Sequence, residues 1–357
     1  MWESITRKYP NEVEQLENPH EKQLNVMSSK KYRILTIDGG GIRGVLPATF
    51  LCEIEEQLGK KVVDYFDLIV GTSTGGIIAL GLGLGLSARE IADFYVDKGP
   101  HIFGDEVLRS PTIISNLNRL MKNTSKVFRH AFSVKHDVSR LRNALTEVLQ
   151  DRTLGESKTR LVIPAYKDGP YVFKTAHHKR LMRDYKVKAV DVALGTSAAP
   201  SYFQAHSFDG ADNLIDGGVW ANNPMGVAAV EACAVLGWDM KNVWMLSLGC
   251  SEQFIAPTKK VSGVKATCGR WALDIMFRGQ DRGSFGTAKL LLGFPHERHD
   301  AIVRVNPTLG REFKELDDAS IISRLRSIAN EEVRNHLPNI DRIFFSEERD
   351  PFIPSYQ

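Results

Sequence analysis

Length and composition place this 357-residue chain among ordinary globular proteins, since 43% of its residues are hydrophobic and 25% are charged. A formal net charge of +3 is too small at this length to indicate a nucleic acid polymer as the main partner. No run approaches the roughly 20 apolar residues of a membrane-spanning helix. We therefore expect a soluble chain that contacts a membrane only peripherally.

The cysteines and the first residues indicate an intracellular compartment. None of the four cysteines forms a C-x-x-C pair or lies with histidines at zinc-finger spacing, so we expect reduced thiols and no metal site. Residues 1–30 are polar and contain no apolar segment of the secretory type, and we interpret them as an N-terminal arm. A cytoplasmic location is the resulting prediction.

The first predicted elements alternate between strand and helix. Residues 32–38 form a short β-branched run that ends in a glycine cluster, which indicates a buried parallel strand. An amphipathic helix follows and stops at Gly59. A second strand over residues 66–70 then leads into another glycine-rich turn.

The rest of the chain continues this alternation. The spacing of Ser87 and Glu90 is that of a capping box, which predicts a helix that begins at Ala88 and ends before Gly99. Further strands are predicted at residues 160–165, 171–175, 214–216 and 243–248. Strands that alternate with helices predict a three-layer α/β fold with a mainly parallel central sheet.

The alternating pattern defines the predicted domain organisation. Residues 31–250 form the core domain, and residues 251–357 form a helical extension packed on it. Within the core, residues 107–136 contain no acidic side chain, and lysines and arginines interleave there with apolar residues. That composition suits a lid or a face for anionic lipid headgroups, and it equally suits a solvated basic surface over a helical hairpin.

The strongest chemical signal is the turn after the second strand, where Gly71 and Gly75 flank Ser73 in a G-x-S-x-G pattern. A nucleophile elbow needs glycine at both positions because a Cβ there would collide with neighbouring backbone. The turn lifts the serine hydroxyl clear of the sheet and aims the next helix N-terminus at the developing oxyanion. We therefore predict that Ser73 is the nucleophile of an acyl-transfer reaction.

A second glycine cluster follows the first strand. Gly39, Gly41 and Gly44 satisfy the dinucleotide fingerprint G-x-G-x-x-G, so a non-catalytic Rossmann-type dinucleotide-binding protein is an alternative. Against it, Arg43 is bulky for that turn, and the next strand ends in a serine elbow instead of an acidic ribose ligand. Two glycine turns at adjacent strand ends suit one acyl-transfer site, with one turn supplying N–H donors and the other the nucleophile.

A serine nucleophile needs a base, and none of the ten histidines lies at a glycine-marked strand end. Asp216 does end a predicted strand, and Gly217 and Gly218 after it permit a tight, exposed turn. Alone, this D-G-G sequence is an ordinary turn signal. Together with the elbow, it makes Asp216 the candidate base.

These blocks, in this order, resemble the patatin-like phospholipase family. The family carries a D-G-G-G-x-R-G loop, a G-x-S-x-G elbow, an A-S-x-A-x-P stretch and a later D-G-G or D-G-A motif. The matching blocks here are residues 38–44, 71–75, 195–200 and 216–218. Gly195 stands where the family usually has alanine, which exchanges one small residue for another. The resemblance covers residues 32–249.

The resemblance implies a hydrolase of lipid acyl esters, of the phospholipase A or lysophospholipase type, with the family's three-layer α/β fold. It implies that Ser73 attacks the ester and that Asp216 accepts its proton without a histidine. The backbone N–H groups of Gly40, Gly41 and Ile42 would form the oxyanion hole. The residues that support these turns would be Gly39, Arg43, Gly44, Gly71, Gly75, Gly217 and Gly218. No metal or organic cofactor is expected.

The layout of the chain is also similar to the bacterial phospholipase effectors of cyclic-oligonucleotide anti-phage signalling (CBASS). That likeness implies a cyclic dinucleotide as activator and the inner face of the cell membrane as the place of action, and it leaves homo-oligomer formation open. A stand-alone bacterial lipid acyl hydrolase without nucleotide control is the alternative. A lipid-binding module with a decayed active site is disfavoured because every catalytic motif position is present.

Overall fold

The computed structural model describes residues 30–103, 136–200, 202–253, 270–293, 298, 300–309 and 317–356. The predictions for the N-terminal arm and for residues 107–136 lie almost entirely outside the described residues. The described residues from Tyr32 onward form one compact unit. None of the described helices is long and apolar enough to cross a membrane.

The strands are β1 (Tyr32–Ile37), β2 (Leu68–Gly71), β3 (Arg160–Tyr166), β4 (Pro170–Lys174), β5 (His206–Phe208), β6 (Ala211–Asp216), β7 (Val243–Leu248), β8 (Glu252–Gln253), β9 (Ile302–Val305) and β10 (Thr308–Leu309). The helices are α1 (Val45–Leu58), α2 (Thr74–Gly83), α3 (Ala88–Asp93), α4 (Gly99–Phe103), α5 (Val138–Leu149), α6 (Ala189–Ser197), α7 (Gly218–Ala221), α8 (Met225–Val230), α9 (Arg270–Leu292) and α10 (Ile322–Phe344).

The central sheet contains eight of the described strands, in the path β5-β6-β3-β2-β1-β7-β9 with β4 paired to β3. All neighbours from β3 to β9 along this path are parallel. The pairs β3–β4, β3–β6 and β5–β6 are antiparallel. The predicted mainly parallel sheet is confirmed, with an antiparallel edge beyond β3.

The sheet separates two hydrophobic cores because successive strand residues point to opposite faces. In β1, Leu35 and Ile37 enter the core beneath α1, α2, α5, α6 and α10. Ile34 lies on the other face, with buried residues of α8 and α9. Helices therefore cover both faces, and the three-layer α/β prediction is confirmed.

Two helix signals are confirmed and one helix end is wrong. Helix α1 stops at Gly59, whose φ of 65° lies in the left-handed region, and the Ser87–Glu90 capping box starts α3. The helical chain does not end before Gly99, because a π-helical segment, Phe94–Lys98, joins α3 to α4. Pro100, which has no N–H to donate, follows this π-helical segment closely, as the second residue of α4.

The chain after residue 251 adds three described strands, β8, β9 and β10, that the sequence pattern did not predict. β9 pairs with β7 in parallel and extends the central sheet. Helix α10 packs along α1. Helix α9 contributes Ala288 and Leu292 to the second core. The last third of the chain is therefore built into the sheet and both helical layers.

Candidate active site

The turn between β2 and α2 has the geometry of a nucleophile elbow. Ser73 adopts φ 55° and ψ −122°, a conformation that L-residues rarely take, directly before the first residue of α2. A Cβ at Gly71 would overlap the carbonyl oxygen of Gly75, and a Cβ at Gly75 would overlap that of Ile37. Both glycines are thus required by the close approach of backbone to backbone, as the sequence predicted.

The strand register brings Asp216 beside this elbow. β4 pairs with β3 from Val162 to Tyr166 and occupies one edge of that strand. On the other edge, β2 pairs as far as Val162, and β6 pairs at Ala165 and Tyr166. β2 leaves this side of β3 where it turns into the elbow, and β6 takes its place beside β3. Asp216, the last residue of β6, therefore lies next to the elbow.

Ser73 and Asp216 are in direct contact. The Ser73 hydroxyl donates a hydrogen bond to Asp216 Oδ2 over 2.6 Å, and the Gly218 N–H donates to Asp216 Oδ1 over 2.6 Å. Asp216 is buried, with 6% of its surface exposed. Burial raises the pKa of its carboxyl from 3.8 to about 6, against the opposing effect of the two hydrogen bonds.

No histidine binds the nucleophile within the described residues. The only side-chain hydrogen bond that the Ser73 hydroxyl makes there is to Asp216. His177 pairs with Glu231, and His206 pairs with Asp191. The same residues contain no group of three or more His, Cys, Asp or Glu side chains that could hold a metal ion.

Thr196 positions both members of the pair, and the sequence analysis did not identify it. Its Oγ1 accepts the Ser73 backbone N–H over 2.9 Å and donates to the Pro164 carbonyl over 2.5 Å. Its own carbonyl accepts the Gly217 N–H over 3.1 Å. The block at 195–200 was noticed only as a family motif, although it holds the elbow and the aspartate turn in one hydrogen-bonded unit.

The glycine loop after β1 lies against the nucleophile. A Cβ at Gly39 would be 3.3 Å from the Ser73 Cβ, and Gly41 has φ 57°, in the left-handed region. The loop continues as a 3-10 turn over Gly41–Gly44, whose first internal hydrogen bond runs from the Arg43 N–H to the Gly40 carbonyl. The N–H groups of Gly41 and Ile42 come before that bond in the chain, so neither of them donates a hydrogen bond within the turn.

Side chains around the loop hold it in place. Thr74 Oγ1 donates to the Gly41 carbonyl over 2.7 Å, and a Cβ at Gly44 would overlap the Thr74 side chain. Arg43 is buried, and its guanidinium donates to Ser251 Oγ over 3.4 Å. These contacts assign Arg43 the role of holding the loop in place.

Asp38, which begins the loop, forms a buried ion pair that the sequence did not reveal. Arg304 on β9 donates from Nη2 to Asp38 Oδ2 over 2.7 Å and from Nη1 to Oδ1 over 3.3 Å. The same guanidinium donates to Ser247 Oγ and to Asp281 Oδ1. Burial raises the pKa of Asp38, and Arg304 opposes that rise.

Two other serines that stand among small residues in the sequence, Ser197 and Ser247, are engaged in other hydrogen bonds. Ser197 is buried, and its hydroxyl donates to the Ala193 carbonyl over 2.6 Å. Ser247 is fully buried and accepts from Arg304. Neither lies in a strained turn such as the one that presents Ser73.

Comparisons with known proteins identify the family of this chain. The family model for patatin-like phospholipases matches residues 35–229. A cGAMP-activated phospholipase of Vibrio cholerae is 33% identical over 336 residues, covering 84% of this chain and 91% of that protein. A cGAMP-activated phospholipase of Pseudomonas aeruginosa is 38% identical, covering 81% of this chain and 84% of that protein.

A more distant similarity extends to a solved structure. The ExoU–SpcU complex of the Pseudomonas aeruginosa type III secretion system matches with 16% identity and a TM-score of 0.38, covering 87% of this chain and 53% of that one. The family match excludes the Rossmann-type alternative for the first glycine loop, since residues 35–229 contain the loop, the elbow and the aspartate turn together. The chain belongs to the patatin-like phospholipase family.

Proposed function

We propose that this protein hydrolyses acyl esters of membrane phospholipids with a Ser73–Asp216 dyad and that a cyclic dinucleotide switches the activity on. The observation that carries the catalytic part is the 2.6 Å hydrogen bond from the strained Ser73 hydroxyl to the buried Asp216 carboxylate. A serine that is presented by an elbow and paired with a carboxylate of raised pKa meets the requirements of an activated nucleophile.

Acylation begins when Ser73 Oγ attacks the ester carbonyl carbon and its proton passes to Asp216 Oδ2. The negative charge that develops on the carbonyl oxygen is stabilised by the loop N–H groups of Gly40, Gly41 and Ile42. The tetrahedral intermediate collapses, and the ester C–O bond breaks. The leaving lysophospholipid alkoxide takes the proton from Asp216, so that the carboxylate is restored and an acyl-serine remains.

Deacylation repeats these steps with water as the nucleophile. Asp216 accepts a proton from the attacking water, and the same loop N–H groups stabilise the second oxyanion. Collapse of this intermediate returns the proton to Ser73 and releases the fatty acid. The Gly218 N–H bond to Oδ1 keeps Oδ2 directed at the reacting hydroxyl through both halves of the cycle.

Control by a cyclic dinucleotide is supported by the two relatives named cGAMP-activated phospholipases, which the chain covers to 91% and 84% of their lengths. In this proposal the protein acts at the inner face of the cell membrane, as a membrane-degrading effector of anti-phage signalling. Residues 107–136 stay a candidate lid or ligand face, almost all of it outside the described residues.

Fatty acid release from phosphatidylglycerol vesicles, with and without cGAMP, tests the proposal. We expect release by the wild-type protein only with cGAMP, and none by Ser73→Ala under either condition. Equal release without the nucleotide would contradict the switch and support the stand-alone hydrolase. No release from phosphatidylglycerol or phosphatidylethanolamine vesicles in either condition would contradict the phospholipase assignment.

The pKa of Asp216 predicts how the reaction depends on pH. Only the ionised carboxylate can accept the serine proton, and its pKa is raised to about 6. We therefore expect kcat/KM for a water-soluble ester to rise tenfold per pH unit below that value and to level off above it. Initial rates from pH 4.5 to pH 8 measure this. A midpoint near 7 that disappears when a histidine is replaced would contradict Asp216 as the base.

A further inference from the structure

The N-terminal part of α9 exposes large apolar side chains. Ile275 is 45% exposed, Met276 is 69% exposed and Phe277 is 43% exposed. Arg278 and Gly279, which follow, are exposed as well. Five consecutive exposed residues span more than one helical turn. We name this exposed segment, residues 275–279, the α9 tip.

The α9 tip lies at the end of the central sheet that carries Ser73 and Asp216, and we call this end the catalytic edge. Gln280, the next residue, donates from Nε2 to the Gly218 carbonyl over 3.3 Å, and its Oε1 accepts the Asn222 N–H over 2.5 Å. Leu292, at the other end of α9, is buried near Met240, close to the start of β7. The helix thus runs from the catalytic edge to the opposite end of the strands. The five residues of the tip extend about 7 Å along the helix axis beyond Gln280.

Phe277 lies on the side of α9 that is turned toward the protein. Phe277 precedes Asp281, Ser284 and Ala288 by 4, 7 and 11 positions, so it lies on the same inward stripe of the helix. Asp281 and Ser284 hydrogen-bond to Asn223, whereas Phe277 extends past this anchored part. Val219, next to the Gly218 that Gln280 contacts, is also 41% exposed.

Charge along α9 matches an anionic surface. Over its whole length, Arg270–Leu292, the helix carries four basic residues, Arg270, Arg278, Arg282 and Lys289, and two acidic ones, Asp274 and Asp281. Asp281 Oδ1 already accepts hydrogen bonds from Arg304 and Asn223. Apolar side chains beside basic ones are typical of segments that enter the interface of an anionic bilayer.

We infer that the α9 tip, with Val219, is the surface by which the protein contacts an anionic phospholipid membrane. Met276 and Phe277 enter the acyl region of the bilayer beside the catalytic edge, and Arg278 stays at the headgroup level. The inference rests on the proposed function, because it assigns the surface through which that site meets its bilayer substrate. Lipid reaches Ser73 without leaving the membrane for bulk water.

The double variant Met276→Glu/Phe277→Glu tests this surface. We expect its binding to sedimented phosphatidylglycerol vesicles and its fatty acid release to fall about tenfold or more. Hydrolysis of water-soluble p-nitrophenyl butyrate should stay within about twofold of the wild type, because the tip makes no contact with the dyad. cGAMP is present in the vesicle-binding, fatty acid release and soluble-ester assays alike.

Met182→Glu is the matched control. Met182 is 60% exposed and follows β4. β4 ends opposite Val162, whereas Asp216 pairs with Ala165 further along β3. Met182 therefore follows the end of β4 that points away from the catalytic edge, and we expect its glutamate variant to bind vesicles and release fatty acid like the wild type.

Three results would overturn the inference. They are unchanged vesicle binding by the double variant, an equal loss in the Met182→Glu control, and a parallel loss of soluble-ester hydrolysis by the double variant. A change in oligomeric state with vesicle binding intact would show instead that a second copy covers the tip. If the wild-type protein binds vesicles through the tip but releases no fatty acid, the proposed function fails and the membrane surface stands.

Discussion

Replacing Asp216 by asparagine is expected to lower the rate of ester hydrolysis by about 10⁴-fold or more, as loss of a catalytic carboxylate or base does in other serine hydrolases. An asparagine side chain fits the same space and can still bond to Ser73 and to the Gly218 N–H, but it cannot accept a proton. Rates with p-nitrophenyl butyrate and with phospholipid vesicles measure the loss. A variant with more than a tenth of the wild-type rate would contradict Asp216 as the base.

The same substitution is expected to stabilise the fold at neutral pH. The Asp216 carboxyl has its pKa raised from 3.8 to about 6, so its protonated form is favoured in the folded state. Its contribution to stability is full below pH 3.8 and is lost as the pH rises through 6, a difference of about 3 kcal/mol. Asparagine is neutral at every pH, and Asp216→Asn should therefore unfold at a higher temperature than the wild type at pH 8.

Ser73→Ala provides the matched comparison, because it is also inactive but shifts stability the other way. It removes the hydroxyl donor from the buried Asp216 carboxylate, which costs about 1–3 kcal/mol when that group is charged. Thermal unfolding of the three proteins at pH 8 and at pH 4 measures both effects. The two variants should differ in sign at pH 8 and converge toward the wild type at pH 4. Equal destabilisation of both variants at pH 8 would contradict the claim that Asp216 is buried and charged at that pH.

Removing Arg304 is expected to give the second large effect. Arg304→Leu leaves the buried Asp38 carboxylate without its partner and should lower the free energy of unfolding by about 3–5 kcal/mol at pH 8. It should also lower kcat, because Asp38 begins the loop that supplies the oxyanion N–H groups. Urea unfolding and steady-state rates measure the two losses.

Neutralising Asp38 at the same time provides the control for this effect. In Asp38→Asn/Arg304→Leu the uncompensated charge is gone, and part of the unfolding free energy should return. Arg298→Leu removes a second arginine that bonds to backbone carbonyls of Met240 and Val243 and has no carboxylate partner among these bonds, so its loss should be smaller. If Arg304→Leu costs no more than Arg298→Leu, the ion pair does not hold the loop.

Local signals in the sequence were enough to predict most of the fold. The capping box at Ser87 and the stop at Gly59 are encoded within a few residues, so both were correct. The helix end before Gly99 was wrong because the chain stays helical through a π-helical segment, so that Pro100 lies inside a continuous helical run. β9 was missed because a four-residue strand gives too short a periodic pattern.

The candidate site divides in the same way. Ser73, Asp216 and the glycine loop carry their own signals, since each is accompanied by glycines where an added Cβ would overlap neighbouring atoms. Thr196 and Arg304 carry no local signal, because their roles arise only when β2, β3, β6 and β9 come together. Thr196 is 123 residues from Ser73, and Arg304 is 266 residues from Asp38. Contacts between residues so far apart in the chain depend on the order of the strands in the sheet and cannot be predicted from the spacing of a local motif.

Labelling with a fluorophosphonate, followed by mass spectrometry of the tryptic peptides, tests the dyad most directly. In the wild-type protein with cGAMP, we predict one covalent adduct, on Ser73. In Asp216→Asn, which still folds and carries the same serine, labelling should be lost almost completely. An adduct on another serine, or undiminished labelling of Ser73 in Asp216→Asn, would contradict the claim that a buried aspartate alone activates this nucleophile.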